Sequence, residues 1–516
     1  MRRKFPNAMT RTFPHTMTRT FAQIARFLMI SCVDRLRLPA FLCPETGDAE
    51  RRHCMNENKS GAGQAPRTLE LPEMMVLGLQ HLFAMFGATV LVPILVQGYG
   101  LPLSIQTTLF FAGVGTLFFH VCTKLKVPAF LGSSFAFLGG FYTMANMTTG
   151  IYADMDAAEK LQYACGGIVV AGLLYVALAG IVKAVGIMKV MHYLPPVVTG
   201  PIIILIGLNL APSAVNNAKT CWWLALVAMG IIIVANIWGK GMIKIIPILL
   251  GVLGSYAVAV IANAFGATAV SASGDVTPLM DFSSVLSANP IGLQPFVTNF
   301  SGSVAKFDLS AILVMAPIAI ASMMEHIGDM SAISATVGEN FITDPGLHRT
   351  LIGDGIATSL AGFFGGPSNT TYGENTGVLV LSKVYDPRVI RLAALYAIIL
   401  SFSPAFAALV NSLPAAIVGG ISFILYGMIS AIGIRNIVEN RVDFTNSRNL
   451  IIAAVILVSG LGFTDGLTFQ IGGASLTFTS LSIAAIAGIA LNAVLPGNNF
   501  HYGSSAADDT ASLGKY

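Results

Sequence analysis

Gly365-Gly-Pro-Ser-Asn-Thr-Thr-Tyr-Gly-Glu-Asn375 interrupts a chain that is otherwise strongly apolar. Pro367 and the Ser/Asn/Thr run favour extended backbone up to about Thr371. Tyr-Gly-Glu-Asn then starts a half-helix, and the N–H groups and positive dipole end at such a start can face a ligand. Gly132-Ser-Ser-Phe135 looks like the mirror element in the first half. Both lie inside apolar stretches, so each is a broken hydrophobic segment.

The rest of the composition fits a membrane setting. Of 516 residues, 54% are hydrophobic and 10% charged, with a mean hydropathy of +0.74. A soluble domain carries about 25% charged residues and cannot hide this much apolar surface. A soluble enzyme, a nucleic-acid binder and a disordered scaffold are excluded, which leaves an integral membrane protein of many spans. The 52 glycines suit close helix packing.

Charge separates the first 54 residues from the body. They carry ten of the 29 Lys and Arg but four of the 25 Asp and Glu, so the formal +4 belongs to them. They repeat Met-Thr-Arg-Thr-Phe at 9–13 and 17–21, and their apolar patch, Phe21 to Val33, contains Arg26 and is too short to span. Residues 1–54 read as an over-extended start or a disordered tail, with a targeting role as the other alternative. Residues 55–72 read as a polar cytoplasmic lead. The six cysteines are scattered, without CxxC, and imply neither a disulfide framework nor a metal site.

A 19-residue window predicts fourteen spans: 73–97, 104–122, 128–148, 159–184, 190–212, 221–238, 244–266, 308–330, 350–365, 367–382, 389–410, 413–434, 448–464 and 475–496. With the N-terminus in the cytoplasm, thirteen Lys and Arg fall in cytoplasmic loops. Only Lys160, Lys219 and Lys306 fall outside. That asymmetry supports an even count with both termini inside, and a 497–516 cytoplasmic tail. The long 267–307 loop, placed outside, divides the chain into repeats at 73–266 and 308–496. Seven spans per half force the second half to be inverted. Ser134 and Asn369 each lie 61 residues after the start of their half. A broken segment at the same place in each half points to an inverted-repeat transporter with its site near the midplane. The bland alternative is that such Gly/Ser breaks serve helix packing.

Ionisable residues within spans are functional candidates by default. They are His81, Glu325, His326, Asp329, Asp354 and Glu374. Asp329 is four residues after Glu325 and so on the same helix face. Two carboxylates sharing a dry face do not both ionise readily, which suits a proton carrier. Asp329 also has a structural reading, as a hydrogen-bonding acid near the helix end. His81 reads equally as a ligand contact or a packing histidine. His326 points to another face and reads as structural. Asp354, in Gly-Asp-Gly, reads either as a hydrogen-bonding group at a helix end or as part of a proton path. Carboxylate acceptors, backbone donors and aromatic faces suit a small planar molecule with N–H and C=O groups, whereas two acids repel an inorganic anion. No Walker loop, HExxH or GxSxG is present, so neither an ATP-driven pump nor a hydrolase is expected. The chain reads as no enzyme, with no cofactor, metal or nucleic-acid partner.

Five stretches resemble the nucleobase–ascorbate transporter family: Gln80 to Pro93, Pro128 to Phe137, Glu325-His-Ile-Gly-Asp329, Asp344 to Arg349 and Asn369 to Asn375. The resemblance runs from about 70 to 496 and is nearest to bacterial uracil permeases. It implies an all-α polytopic membrane fold, with fourteen transmembrane spans in two inverted repeats of seven. It further implies a core domain, a gate domain, and a short strand leading into a half-helix in spans 3 and 10. It implies uracil held by the carboxylates of Glu325 and Glu374 and by backbone N–H groups at Phe135 and Gly373. His81, Tyr372 and Tyr426 would lie nearby, Tyr426 from the gate domain, with Phe135 and Tyr372 giving ring contacts. Glu325, Asp329 and Asp354 are the proton-coupling candidates. Two departures stand out. Ser382 occupies the place of the family's Thr, before Lys383, and Asp329 stands where some uracil permeases carry His. Purine-selective members usually have Gln at the place of Glu374, which favours a pyrimidine.

The expected function is proton-coupled symport of uracil into the cell by alternating access, in the cytoplasmic membrane. The expected partners are uracil or a related nucleobase, protons and the lipid bilayer, and the resemblance allows a homodimer. The rivals are a proton- or sodium-coupled carrier of xanthine, urate or ascorbate, and an anion exchanger or channel of similar fold.

Overall fold

In hydrocarbon every backbone N–H and C=O must be satisfied within the protein, so long apolar runs fold as helices. A computed structural model describes residues 70–497 apart from 149, 271–275, 293–304, 465 and 472–473. The expectations for residues 1–54, for most of 55–72 and for nearly all of the 497–516 tail lie outside the described residues.

Among the described residues, seven helices are long and apolar enough to cross a bilayer. They are Leu71–Gly98 (span 1), Ile105–Cys122 (span 2), Ala157–Val185 (span 4), Pro196–Ala218 (span 5), Pro247–Ala264 (span 7), Leu309–Val337 (span 8) and Ala415–Glu439 (span 12). Pro317 divides span 8 into Leu309–Met315 and Ile318–Val337. Shorter helices form span 6 (Trp222–Ile237), span 9 (Leu347–Phe363), span 13 (Ser447–Gly462) and span 14 (Ser480–Val494). Span 3 is strand β1 (Leu131–Ser133), a 3-10 turn (Phe135–Phe137) and a helix (Leu138–Ala145). Span 10 is strand β4 (Asn369–Thr371) followed by a helix (Gly373–Ser382). With span 11 (Pro387–Ser401 and Pro404–Asn411), these segments make a multi-pass membrane protein of fourteen spans in two inverted repeats of seven.

The inversion is visible where the halves meet. β1 and β4 pair antiparallel, with Leu131 opposite Thr371 and Ser133 opposite Asn369. Equivalent strands related by a two-fold axis in the membrane plane must meet this way. Spans 1, 2, 4, 9 and 11 pack together around the strand pair, and spans 5, 6, 12, 13 and 14 form a second bundle. Glycines permit the closest approaches. A Cβ on Gly172 of span 4 would stand 2.4 Å from the Gly355 carbonyl of span 9.

Three expectations change. Span 11 is not one helix over 389–410. Pro387–Ser401 and Pro404–Asn411 meet at 87°. Pro404 cannot donate to the helix before it, and Ser403 caps the new helix by accepting from the Phe406 N–H. The Ser401 carbonyl takes a 3.0 Å bond from Gln106 Nε2 of span 2 instead. Span 5 starts at Pro196, not near 190, because Pro195-Pro196 separates it from a short helix, Ile187–Tyr193. Strands also occur outside spans 3 and 10. β2 (Thr268–Val270) pairs with β3 (Val276–Pro278), and β5 (Leu467–Ile471) with β6 (Ala474–Phe478). Leu-Thr-Phe-Gln-Ile and Ala-Ser-Leu-Thr-Phe alternate with period two, a strand signal that an averaging hydropathy window cannot see. Span 14 therefore begins as a helix at Ser480, not at 475.

Candidate functional site

The strand crossing is held by threonines from the preceding span of each repeat. Leu131 N–H donates to Thr116 Oγ1 at 2.9 Å, and Asn369 N–H donates to Thr358 Oγ1 at 3.1 Å. The crossing closes on itself through Ser134 N–H to the Ser368 carbonyl (2.8 Å) and Tyr372 N–H to the Phe130 carbonyl (3.0 Å). Residues 131–134 and 368–372 are all buried. The backbone polar groups of two broken spans are thus satisfied without water, as irregular chain at membrane depth requires.

A half-helix departs from each strand. Their N-cap residues, Ser134 and Tyr372, are extended, and neither side chain caps the helix that follows. The first-turn N–H groups at Phe135 and Gly373 are therefore not capped by these side chains and lie at the positive ends of two dipoles. Gly373 is exposed, and Phe135 is buried.

Acidic groups surround the second half-helix. Glu374 lies in its first turn and is half-buried, as are Glu325 and Asp329 on span 8. Thr371 Oγ1, the last residue of β4, donates to Asp329 Oδ2 at 2.8 Å. A Cβ on Gly373 would stand 3.6 Å from Asp329 Oδ1. The structure thus brings Asp329 to the mouth of the span 10 half-helix.

The other candidates take distinct places. His81 is 1% exposed. Asn375 Nδ2 donates to its carbonyl (3.1 Å) and lies 3.2 Å from its Nδ1. Because the amide nitrogen is a donor, Nδ1 accepts, and His81 carries its proton on Nε2. The ring thereby clamps span 1 to the half-helix of span 10. The Tyr372 hydroxyl donates to the Ser133 carbonyl (2.9 Å) and accepts from Thr89 Oγ1 (3.3 Å). Its ring lies over Gly132, where a Cβ would come within 2.3 Å. Tyr426 of span 12 is buried, with its ring centroid 6.3 Å from that of Phe135 and tilted 73°. This edge-on contact crosses from the second bundle to the first half-helix.

Asp354 is not at a helix end. It sits inside Leu347–Phe363 with its Oδ2 2.9 Å from His326 Nδ1, and both side chains are fully buried. Sequence separates the two by 28 positions, and only the packing of span 8 on span 9 joins them. Asn375, Thr371, Thr116 and Thr358 escaped the sequence reading. Their only signal was a polar residue in an apolar span, which many structural Ser and Thr share.

The permease family's sequence profile matches residues 72–468. The chain belongs to this family, the nucleobase–ascorbate transporters. The permease is 39% identical over 434 residues to the uracil permease of Bacillus caldolyticus, covering 82% of this chain and 92% of that one. It is 34% identical over 452 residues to the uracil permease of Escherichia coli K12, covering 85% and 94%. Among solved structures it resembles the transmembrane domain of the cyanobacterium bicarbonate transporter BicA. There the TM-score is 0.55 at 16% identity, over 76% of this chain and 95% of that one. It also resembles SLC26A9, with a TM-score of 0.57 at 12% identity, over 95% and 72%. At such identities the likeness concerns the fold alone.

Proposed function

We propose that this permease takes up uracil together with protons, by alternating access, across the cytoplasmic membrane with both termini inside. The observation that supports the reading most is the uncapped start of the span 10 half-helix, with Glu374 in its first turn and Asp329 at its mouth. Uracil is planar, with two ring N–H donors and two carbonyl acceptors. Carboxylates accept from the ring N–H groups, and the Phe135 and Gly373 N–H groups donate to the carbonyls. The Phe135 ring covers a face, and Tyr426 closes on it from the gate bundle. His81 acts by holding Asn375 beside Glu374, and Tyr372 by seating its ring on the crossing. The names of the relatives support uracil as the substrate.

Glu325 is the coupling residue, with Asp329 as its partner and Asp354 behind them through His326. A proton neutralises an acid whose charge is costly in a dry span, and so favours the loaded state. The core bundle, carrying both half-helices, then moves past the gate bundle. The test is uptake of labelled uracil by cells lacking their own permease, with xanthine, urate and ascorbate as competitors. Uptake is expected to be faster at pH 5–6 than at pH 8 and to collapse with a protonophore. Effective competition by purines would reassign the substrate, and sodium-dependent, pH-independent uptake would sink proton coupling.

A further inference from the structure

The two crossing strands are anchored differently. Each strand's last residue is a hydroxyl side chain tied to the first span of its own repeat. Ser133 Oγ donates to the Thr89 carbonyl of span 1 at 2.9 Å, a partner that cannot titrate. Thr371 Oγ1 donates to the Asp329 carboxylate of span 8 at 2.8 Å, a partner that can. Thr371 is 1% exposed, and two residues later Gly373 opens the half-helix that carries Glu374.

We propose that Thr371 is the positioning residue through which a proton on Asp329 is read by the span 10 half-helix. With Asp329 ionised, the hydroxyl makes a charge-assisted bond that holds β4 against span 8. With Asp329 protonated, that bond weakens, and the start of the half-helix at Tyr372-Gly373 is released toward the ligand. The first half has no such dependence, because a carbonyl accepts equally at every pH. The charged groups facing Asp329 are all acidic: Glu325 one turn earlier on span 8, Glu374 on the half-helix and Asp354 on span 9, the last paired with His326. None of them supplies a cation to replace the hydroxyl, so removing it leaves the ionised form of Asp329 short of a donor.

The inference rests on the uracil reading above, and the test separates the two. Uracil binding to the purified full chain is measured from pH 5 to pH 9 for wild type, Thr371→Val, Thr371→Ser, Asp329→Asn and the Asp329→Asn/Thr371→Val double variant. Losing a donor to the ionised acid keeps its proton on to higher pH. The alkaline limb of Thr371→Val therefore moves up by about one pH unit. Thr371→Ser restores the wild-type limb. Asp329→Asn, whose amide oxygen still accepts from the hydroxyl, removes the acid that Thr371 senses, so adding Thr371→Val in that background moves nothing. A Thr371→Val profile that superimposes on wild type overturns the proposal, as does a shift that persists in the Asp329→Asn background. If Thr371→Val does not fold, a shifted limb in Thr371→Ser overturns it. Wild type that binds no uracil at any pH fails the underlying reading instead.

Discussion

Spans 3 and 10 share one skeleton and differ in chemistry. Each is three residues of strand, a turn of 3-10 or α-helix, and an uncapped half-helix, pinned by a threonine from the preceding span. The first crossing, Gly132-Ser-Ser-Phe135, carries no ionisable group. The second carries Glu374 and Asn375 and meets Asp329 from span 8. A duplicated fold supplied two symmetric cradles, and the charged chemistry was placed in one of them. This division predicts that substitutions in the second half change transport, whereas mirror substitutions in the shared skeleton change stability alike.

The largest effect is expected from Glu325→Gln. The amide imitates a protonated acid, so the variant should bind and exchange uracil yet fail to concentrate it. Counterflow and net uptake measured side by side distinguish these, and concentrative uptake at the wild-type level would remove Glu325 from coupling. Next comes Gly132→Ala. Its new methyl would stand 2.3 Å from the Tyr372 ring, and the crossing cannot open without breaking its own bonds. We expect a large fall in melting temperature in detergent. Gly377→Ala, with nothing within 4 Å of its Cβ, should leave stability nearly unchanged. Equal losses would mean that the crossing is not tightly packed.

Glu374→Gln is a milder change with a sharper readout. In the proposed site it replaces an acceptor for a ring N–H by a donor, and a buried polar group left unmatched costs about 1–3 kcal/mol. Uracil affinity should fall roughly tenfold or more by equilibrium binding, with little change in melting temperature. The two-fold comparison itself is tested by Thr116→Val and Thr358→Val. Each leaves one buried strand N–H unsatisfied, costing about 1–3 kcal/mol by denaturation in mixed micelles. A clear inequality between them would show that the halves are not equivalent scaffolds. The smallest effect belongs to Lys126→Ala, which breaks the exposed Lys126–Asp344 bridge between two loops. The Lys126 ammonium holds the Asp344 carboxyl below the usual carboxylate range. Any stabilisation it brings is present at neutral pH and lost on acidification through that range. Such exposed pairs contribute little, and no resolvable change in melting temperature is expected at pH 7.

Much of the fold was legible because hydrophobicity is additive along a window. Fourteen apolar stretches, the inversion and the matched breaks in spans 3 and 10 all follow from local composition. The acids at 325, 329 and 374 stood out for the same reason, since a charge in an apolar span is costly wherever it packs. The right-angle break in span 11 was less visible, because a window averages over Ser403-Pro404 and keeps a hydrophobic mean. The β5–β6 hairpin was lost to the same averaging.

What the tertiary structure alone decided is partnership. His81 and Asn375 are 294 positions apart, Tyr372 and Ser133 are 239 apart, and Thr371 and Asp329 are 42 apart. Sequence marks each as a polar group that must be satisfied if buried, but a donor can be matched by many acceptors. Which one it meets depends on the register of two crossing strands and the packing of spans from opposite halves. Composition thus determined that this chain crosses a membrane fourteen times with acids at its centre. Packing decided that Tyr372 braces the crossing, that Asp354 pairs with His326, and that Asp329 holds the strand leading to Glu374.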